Sequence, residues 1–198
     1  MNQNELTLRP EIPADWDEVE FLIREAFWDV YRPGCDEHLI VHTLRNHPET
    51  IPELNFVAVL DGRIVGHIFY TRTRIEYDGG AQEAAAFGPI SVLPELQKQG
   101  VGSAMIRHTL PLAARMGFPG VVITGNPDYY HRFGFHDAAQ HGIVMPDGST
   151  GPWLMAQEFI PGALRSGCLH FAPQFDTDSA QLAEFETHFP HKEKRFSH

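Results

Sequence analysis

Cysteine is almost missing: Cys35 and Cys168 are the only two in 198 residues. They are too few and too separated for a disulfide framework or a zinc cluster, so both read as buried or chemically idle thiols. Positive charge is also scarce, with 15 Lys and Arg against 26 Asp and Glu and a formal net charge of −11. An acidic surface repels phosphate backbones and anionic lipid, which argues against nucleic acid or membrane as partners and favours a cationic one. No apolar run approaches a membrane span, and the opening MNQNELTLRP has neither the basic flank nor the apolar core of a signal peptide. The expected address is the cytoplasm. The twelve histidines include no HExxH and no close Cys/His cluster, so no metal is expected.

What remains is an ordinary folding composition, 42% hydrophobic and 21% charged, and a length suited to one domain with a sizeable core. Leu6 and Leu8 alternate with polar neighbours as in a half-buried strand. Asp15 and Glu18 have the spacing of a helix-capping pair, and Val19, Leu22, Ile23 and Ala26 mark a helix over about 16–27. A second amphipathic helix follows Pro33-Gly34, over about 36–45. The run NFVAVLDGRIVGHIFYTRTRIEY is a hairpin turning at Asp61-Gly62. AAAFGPISV, a helix ending near Met116 and Gly117, and VVIT at Val121–Thr124 then give strand, helix, strand. WLMAQEF and CLHFA are strands and DSAQLAEFETHF a terminal helix, while 136–151, rich in Gly, Asp and His, is expected to be a surface loop.

Within the strand-helix-strand unit, Gln97-Lys98-Gln99-Gly100-Val101-Gly102-Ser103 opens the helix. A helix start carries N–H groups without partners and partial positive charge, and glycines let backbone approach an anion, so the segment suits a diphosphate. On its own it could equally be a tight turn. Gly88-Pro89 interrupts the strand before it, and because proline cannot donate to a ladder the strand is expected to bulge or splay there. Free backbone groups in such a strand can hold an extended, amide-bearing ligand arm.

Together with NPDYYHRFGF beyond the next strand, the segments PISVLPELQKQGVGSAMIRHTLPLAARMGF, VVITG and YYHRFGF resemble the GNAT superfamily of acetyl-CoA-dependent N-acetyltransferases, in the bacterial branch with a compact YYxRFGF segment. The hairpin carrying DGRIVGHI is also typical of that family. The resemblance implies that Gln97 to Ser103 binds the pyrophosphate of coenzyme A, and that Ile90, Ser91 and Val92 pair with pantetheine through main-chain groups. It implies that the Ile90 N–H polarises the thioester carbonyl, a contribution on the order of ~3 kcal/mol for a preorganised oxyanion donor. Tyr130 falls where the family carries a tyrosine near the coenzyme sulfur, and Tyr129 competes for that place. A free tyrosine has a pKa of roughly 10 and a thiol about 8.5, so Tyr130 reads best as a hydrogen-bond donor to the developing thiolate that also delivers its proton. Asn126 matches the family's pantetheine asparagine, but stands only four residues before Tyr130.

The glutamate that serves as base in the histone-acetylating branch corresponds here to Ala86, which leaves Glu83, Glu76, His67 or water. Trp16, Trp28 and Trp153 read as core or pocket-wall residues. The expectation is a single α/β (α+β) domain over 1–198, a mixed, mostly antiparallel, twisted sheet splayed at the coenzyme site and flanked by helices, with a C-terminal extension of strands and a helix from about 150. Its expected activity is acetyl transfer from acetyl-CoA to a primary amine by direct attack in a ternary complex, since no cysteine is placed for a covalent acetyl-enzyme. The alternatives are a noncatalytic acyl-CoA-binding or sensor module and a phosphate-binding domain unrelated to coenzyme A. The acceptor is expected to be cationic, and a homodimer is left open.

Overall fold

In the computed structural model, which describes residues 6–172 and 177–195, β1 (Thr7–Pro10) pairs antiparallel with β2 (Phe56–Leu60), and β2 with β3 (Arg63–Tyr77). The turn between β2 and β3 holds Asp61 at φ 52° and Gly62 at φ 79°. Two left-handed residues in succession match the right-handed twist of the flanking strands, which is why Asp-Gly sets this hairpin. The chain folds as two compact units, one from Met1–Phe69, Pro89–Met105 and Pro173–His198, the other from Tyr70–Gly88 and Ile106–Ala172.

In the first unit, α1 (Trp16–Phe27) packs along α2 (Glu37–Leu44), and Val19, Leu22, Ile23, Leu39, Ile40 and Leu44 are buried as their helical spacing requires. Removing each from water is worth about 1.5–3 kcal/mol. The expected Asp15–Glu18 capping pair does not form. The Asp15 carboxylate turns back to accept from the Ile12 N–H and from both ends of the Arg9 guanidinium, and Glu18 accepts from the Ile64 N–H. Strand β1 and the head of β3 thus offer these carboxylates stronger donors than the helix start does.

The first unit also buries charge. Arg24, 1% exposed, donates to both oxygens of Glu186 and to the Pro190 carbonyl, and lies 4.2 Å over the Trp28 ring. His38 Nε2 is 2.8 Å from Glu186 Oε1. A second cluster joins Arg45 to Glu11 at 2.8 Å and to Glu20, with His42 2.9 Å from Glu20. His67 is fully buried, its Nε2 3.4 Å from Glu11 but without hydrogen-bond geometry. The C-terminal helix α5 (Ser179–Phe185) begins on an Asp178 cap that accepts from Ala180 and Gln181 N–H groups, and carries Phe185 against the His38 and His42 rings.

In the second unit, β4 (Gly80–Val92) pairs parallel with β5 (Gly120–Thr124) at Ala85↔Val121, and α3 (Val101–Arg115) connects them in the chain. Gly117 at φ 90° follows the helix, as expected of a stop signal. β8 (Leu154–Glu158) runs antiparallel to β5, and β9 (Gly167–His170) antiparallel to β3 with Ile75 opposite Leu169. The stretch 136–151 is not merely a surface loop. His136–Asp137 forms β6 on β8, Ile143–Val144 forms β7 on β9, and Ala138 and Ile143 are fully buried in a core with Ile75, Ala84, Val122, Leu154 and Leu169. Two-residue strands set by distant partners leave no period in the sequence. The class is α/β with mixed, mostly antiparallel pairing.

Candidate active site

The glycine turn belongs to the first unit. A short 3-10 turn, Pro94–Leu96, delivers the chain to Gln97, whose side-chain amide donates to the Val92 carbonyl at 3.1 Å; Gln99 does the same to Glu95 at 2.9 Å. The two glutamines therefore stitch the turn shut. Lys98 takes φ 60° and Gly100 φ 94°, and a Cβ on Gly100 would meet nothing within 4 Å, so the space in front of it is open. The first intrahelical bond of α3 runs from the Ala104 N–H to the Gly100 carbonyl at 2.9 Å, which places the N–H groups of Val101, Gly102 and Ser103 ahead of the ladder. Gly102 is buried and Ser103 partly so.

Upstream, β4 continues through Gly88-Pro89 to Val92, while its register with β5 is at Ala85, before that dipeptide. Ile90 is half-buried. Ser91 is 1% exposed and its Oγ has no hydrogen-bond partner among the described residues. The Val92 carbonyl is taken by Gln97, and the Leu93 N–H by the Val65 carbonyl at 3.0 Å.

Tyr130 and Asn126 belong to the second unit. Asn126 caps the one-turn helix α4 (Pro127–Tyr130), its Oδ1 accepting from the Asp128 N–H at 3.0 Å, so that oxygen serves the fold. The turn aims the two tyrosines differently. Tyr129 stacks under Arg132, 4.1 Å from its guanidinium carbon, and against Phe133. Tyr130 packs edge and tilt against Phe87 and Phe135, both at 5.9 Å, with Tyr129 at 5.0 Å. Phe87 in turn touches Tyr70 at 5.3 Å, and the fully buried Tyr70 hydroxyl meets Thr109 Oγ1 at 2.9 Å. Burial raises the Tyr70 phenol, only partly offset by its bond to Thr109, so it stays protonated. Phe87 and Tyr70 stand in strands whose pattern gave no sign of this aromatic group.

The remaining candidates differ in setting. Glu83 is exposed and 3.3 Å from Arg72; Glu76 is half-buried, paired with Arg74 and 3.1 Å from His170. His67 is no solvated strand residue, being closed inside the first unit beside Glu11. Ala86 is buried. Cys35 is buried and its thiol pushed up to about 12, chiefly by burial and then by Glu37 and Glu186, which makes it a poor nucleophile. Trp16 and Trp28 lie under Arg45 and Arg24, and Trp153 is 39% exposed, so none is a fully enclosed core residue.

Comparison with known proteins agrees with this layout. The chain is 32% identical over 121 residues to the uncharacterized N-acetyltransferase YjhQ of Escherichia coli (strain K12), covering 59% of this chain and 67% of that protein. It is 27% identical over 139 residues to the uncharacterized N-acetyltransferase YhbS of the same strain, covering 70% and 78%. Among solved structures, a GNAT family acetyltransferase from Brucella melitensis in complex with acetyl-CoA superposes with a TM-score of 0.72 at 28% identity, over 88% of this chain and 100% of that one. Escherichia coli YhbS in complex with CoA shares the fold, with a TM-score of 0.78 at 24% identity over 88% and 94%. The family model for the acetyltransferase (GNAT) domain matches residues 7–138, and the chain belongs to that family of acyltransferases.

Proposed function

We propose that this protein transfers the acetyl group of acetyl-CoA to a primary amine of a small molecule or peptide, by direct attack of the amine in a ternary complex. The observation that carries the reading is the start of α3, where Val101, Gly102 and Ser103 present N–H groups ahead of the helical ladder behind an open turn at Gly100. Backbone donors at a helix N-terminus suit a pyrophosphate. The Brucella melitensis relative, solved with acetyl-CoA, supports the same donor here.

In this reading Gln97, Lys98, Gln99, Gly100, Val101, Gly102 and Ser103 hold the pyrophosphate. Gln97 and Gln99 act through the turn they close, and Lys98 adds a cation. Ile90, Ser91 and Val92 line the pantetheine arm. With the Val92 carbonyl already used by Gln97, the arm pairs with the remaining main-chain groups of this strand. The Ile90 N–H stabilises the oxyanion formed as the amine adds to the thioester carbonyl. Tyr130 donates to the sulfur as the C–S bond breaks, and its proton leaves with coenzyme A. Asn126 contributes by capping the turn that carries Tyr130. The amine must be neutral to attack. Glu76 and Glu83 are held by arginines and His67 is closed off, so water is the favoured proton acceptor. We propose one N-acetyltransferase domain over 1–198, with an extension from about 150, working in the cytoplasm; no helix of the described residues is long and apolar enough to cross a membrane.

A panel of amines offered with acetyl-CoA and read by free-thiol release tests the reading. At least one amine releases coenzyme A well above the hydrolytic rate, with intersecting initial-velocity lines when both substrates are varied. Tight binding of acetyl-CoA with no release by any amine would instead establish a noncatalytic coenzyme-binding module.

A further inference from the structure

Gly125 directly follows β5, and its N–H donates to the Trp153 carbonyl at 2.9 Å, so the position is pinned to the sheet. Its φ lies outside the left-handed region that favours glycine. Backbone conformation therefore gives no reason for glycine here. Space does: a Cβ at 125 would stand 2.5 Å from Tyr130 Cε2, 3.1 Å from Cδ2 and 3.5 Å from Cζ, and these are its three nearest atoms. The bare Cα of Gly125 is a wall for the Tyr130 ring. The rings of Phe87, Phe135 and Tyr129, at 5.0–5.9 Å, bound it as well. A half-buried tyrosine enclosed this way has little freedom about χ1 and χ2, and the hydroxyl at the end of the ring inherits that restriction.

We propose that Gly125 is a positioning residue for acetyl transfer, whose missing side chain seats the Tyr130 ring so that its hydroxyl meets the departing sulfur. The assignment rests on Tyr130 being the donor in the proposed reaction. Misplacing a reacting group by an ångström is enough to slow a reaction by up to about 10²-fold. Since α4 is short and its Asn126 cap is local, a ring pushed aside takes its hydroxyl with it.

Gly125→Ala, Tyr130→Phe and the double variant decide the matter, each assayed with the best amine of the panel under conditions where chemistry limits turnover. Gly125→Ala is expected to lower kcat by roughly ten- to a hundredfold, with the KM for acetyl-CoA nearly unchanged. In the Tyr130→Phe background the same alanine should cost less than about twofold, because the hydroxyl it displaces is gone. A merely structural glycine would lower kcat by the same factor in both backgrounds. Thermal melts provide the second measurement: any Tm lost in Gly125→Ala returns when the ring is removed as Gly125→Ala with Tyr130→Ala, relative to Tyr130→Ala alone. Gly125→Ala with wild-type kcat, beside a Tyr130→Phe that is slow, overturns the role of Gly125. A Tyr130→Phe enzyme at wild-type kcat overturns the Tyr130 reading itself, and the inference with it.

Discussion

The first unit buries charge, whereas the second, among the described residues, buries no charged side chain and surrounds its candidate donor with rings. Arg24, Glu20, His38 and His67 are buried in the first unit, among partners as distant in sequence as Glu186. In the second unit Arg72–Glu83 and Arg74–Glu76 lie at the surface, while Tyr70, Phe87, Tyr130 and Phe135 make the interior contacts around the candidate donor. The difference separates two kinds of work. In the proposed reaction the first unit offers main-chain N–H groups, which need only a fixed backbone, and the second offers one hydroxyl, which needs a fixed side chain. The buried Arg24–Glu186 and Arg45–Glu20 pairs suit the former by resisting alternative packings, and close aromatic packing suits the latter.

The largest effect is expected at the backbone site. Gly102→Glu puts a carboxylate into the first turn of α3, and coenzyme A affinity measured by calorimetry should fall at least a hundredfold while circular dichroism shows a folded chain. Unchanged affinity in that folded variant would refute the pyrophosphate assignment. In the aromatic unit, Tyr130→Phe keeps the ring against Phe87 and Phe135 and removes the hydroxyl, so kcat should fall by roughly 10²-fold with coenzyme affinity and Tm little changed. Tyr129→Phe, whose ring lies under Arg132, should change kcat far less. Equal losses in the two variants would erase the distinction between them.

Stability should divide along the same line. Glu186→Ala leaves the buried Arg24 with the longer 3.7 Å pairing to Glu25 and should cost about 3 kcal/mol in chemical denaturation, whereas Glu83→Ala should cost under about 0.5 kcal/mol. The buried cluster also makes stability depend on pH. Burial lowers His38 to about 4, Arg24 adding to the effect and Glu186 opposing it. Burial by itself would raise Glu186, but Arg24 and His38 more than compensate and hold it below the usual carboxylate range. Both groups are depressed in the folded state, so their contribution is complete above the unfolded values and disappears as pH falls through the folded ones. Tm should decline from about pH 6.5 toward 4, and His38→Gln should flatten that slope. A slope unaffected by His38→Gln would mean that other carboxylates carry it.

The smallest expected effect concerns the acceptor. If the net charge of −11 draws in a cationic amine, kcat/KM for the best substrate should drop several-fold between low and physiological salt, through the association rate. A neutral or acidic best substrate with no salt dependence would dismiss the idea.

Features made by neighbours in the chain were legible. Asp61-Gly62 declared its hairpin, the apolar spacing from Val19 to Ile23 declared α1, and Gln97 to Gly102 declared the helix start, because turn chemistry and helical period are local. Features made across the chain were not. Nothing in the sequence marked Arg24 and His38 for burial, because the carboxylate that makes it tolerable, Glu186, is far from both along the chain. Asp15 and Glu18 had the right spacing to cap α1, yet β1 and β3 supplied better donors. Gly125 entered only as the end of VVITG, with no sign of its role, since that role is an emptiness beside Tyr130.

The Arg24–Glu186 link also sets an order of events during synthesis. The two residues are 162 apart in sequence, and at roughly 5–20 residues per second the ribosome needs about 8–30 s to travel between them. For that interval α1 exists with an arginine whose final counterion has not been made. All of Tyr70–Gly88 and Ile106–Ala172 is polymerised before Glu186 appears, so every residue of the aromatic unit precedes the carboxylate that the charged one needs. A chain stalled or cut after Ala172 would present Arg24 and Trp28 without Glu186, Pro190 and Lys192. It would be a target for holdase chaperones at the α1–α2 end, whereas the segment around Tyr130 would have all its own parts.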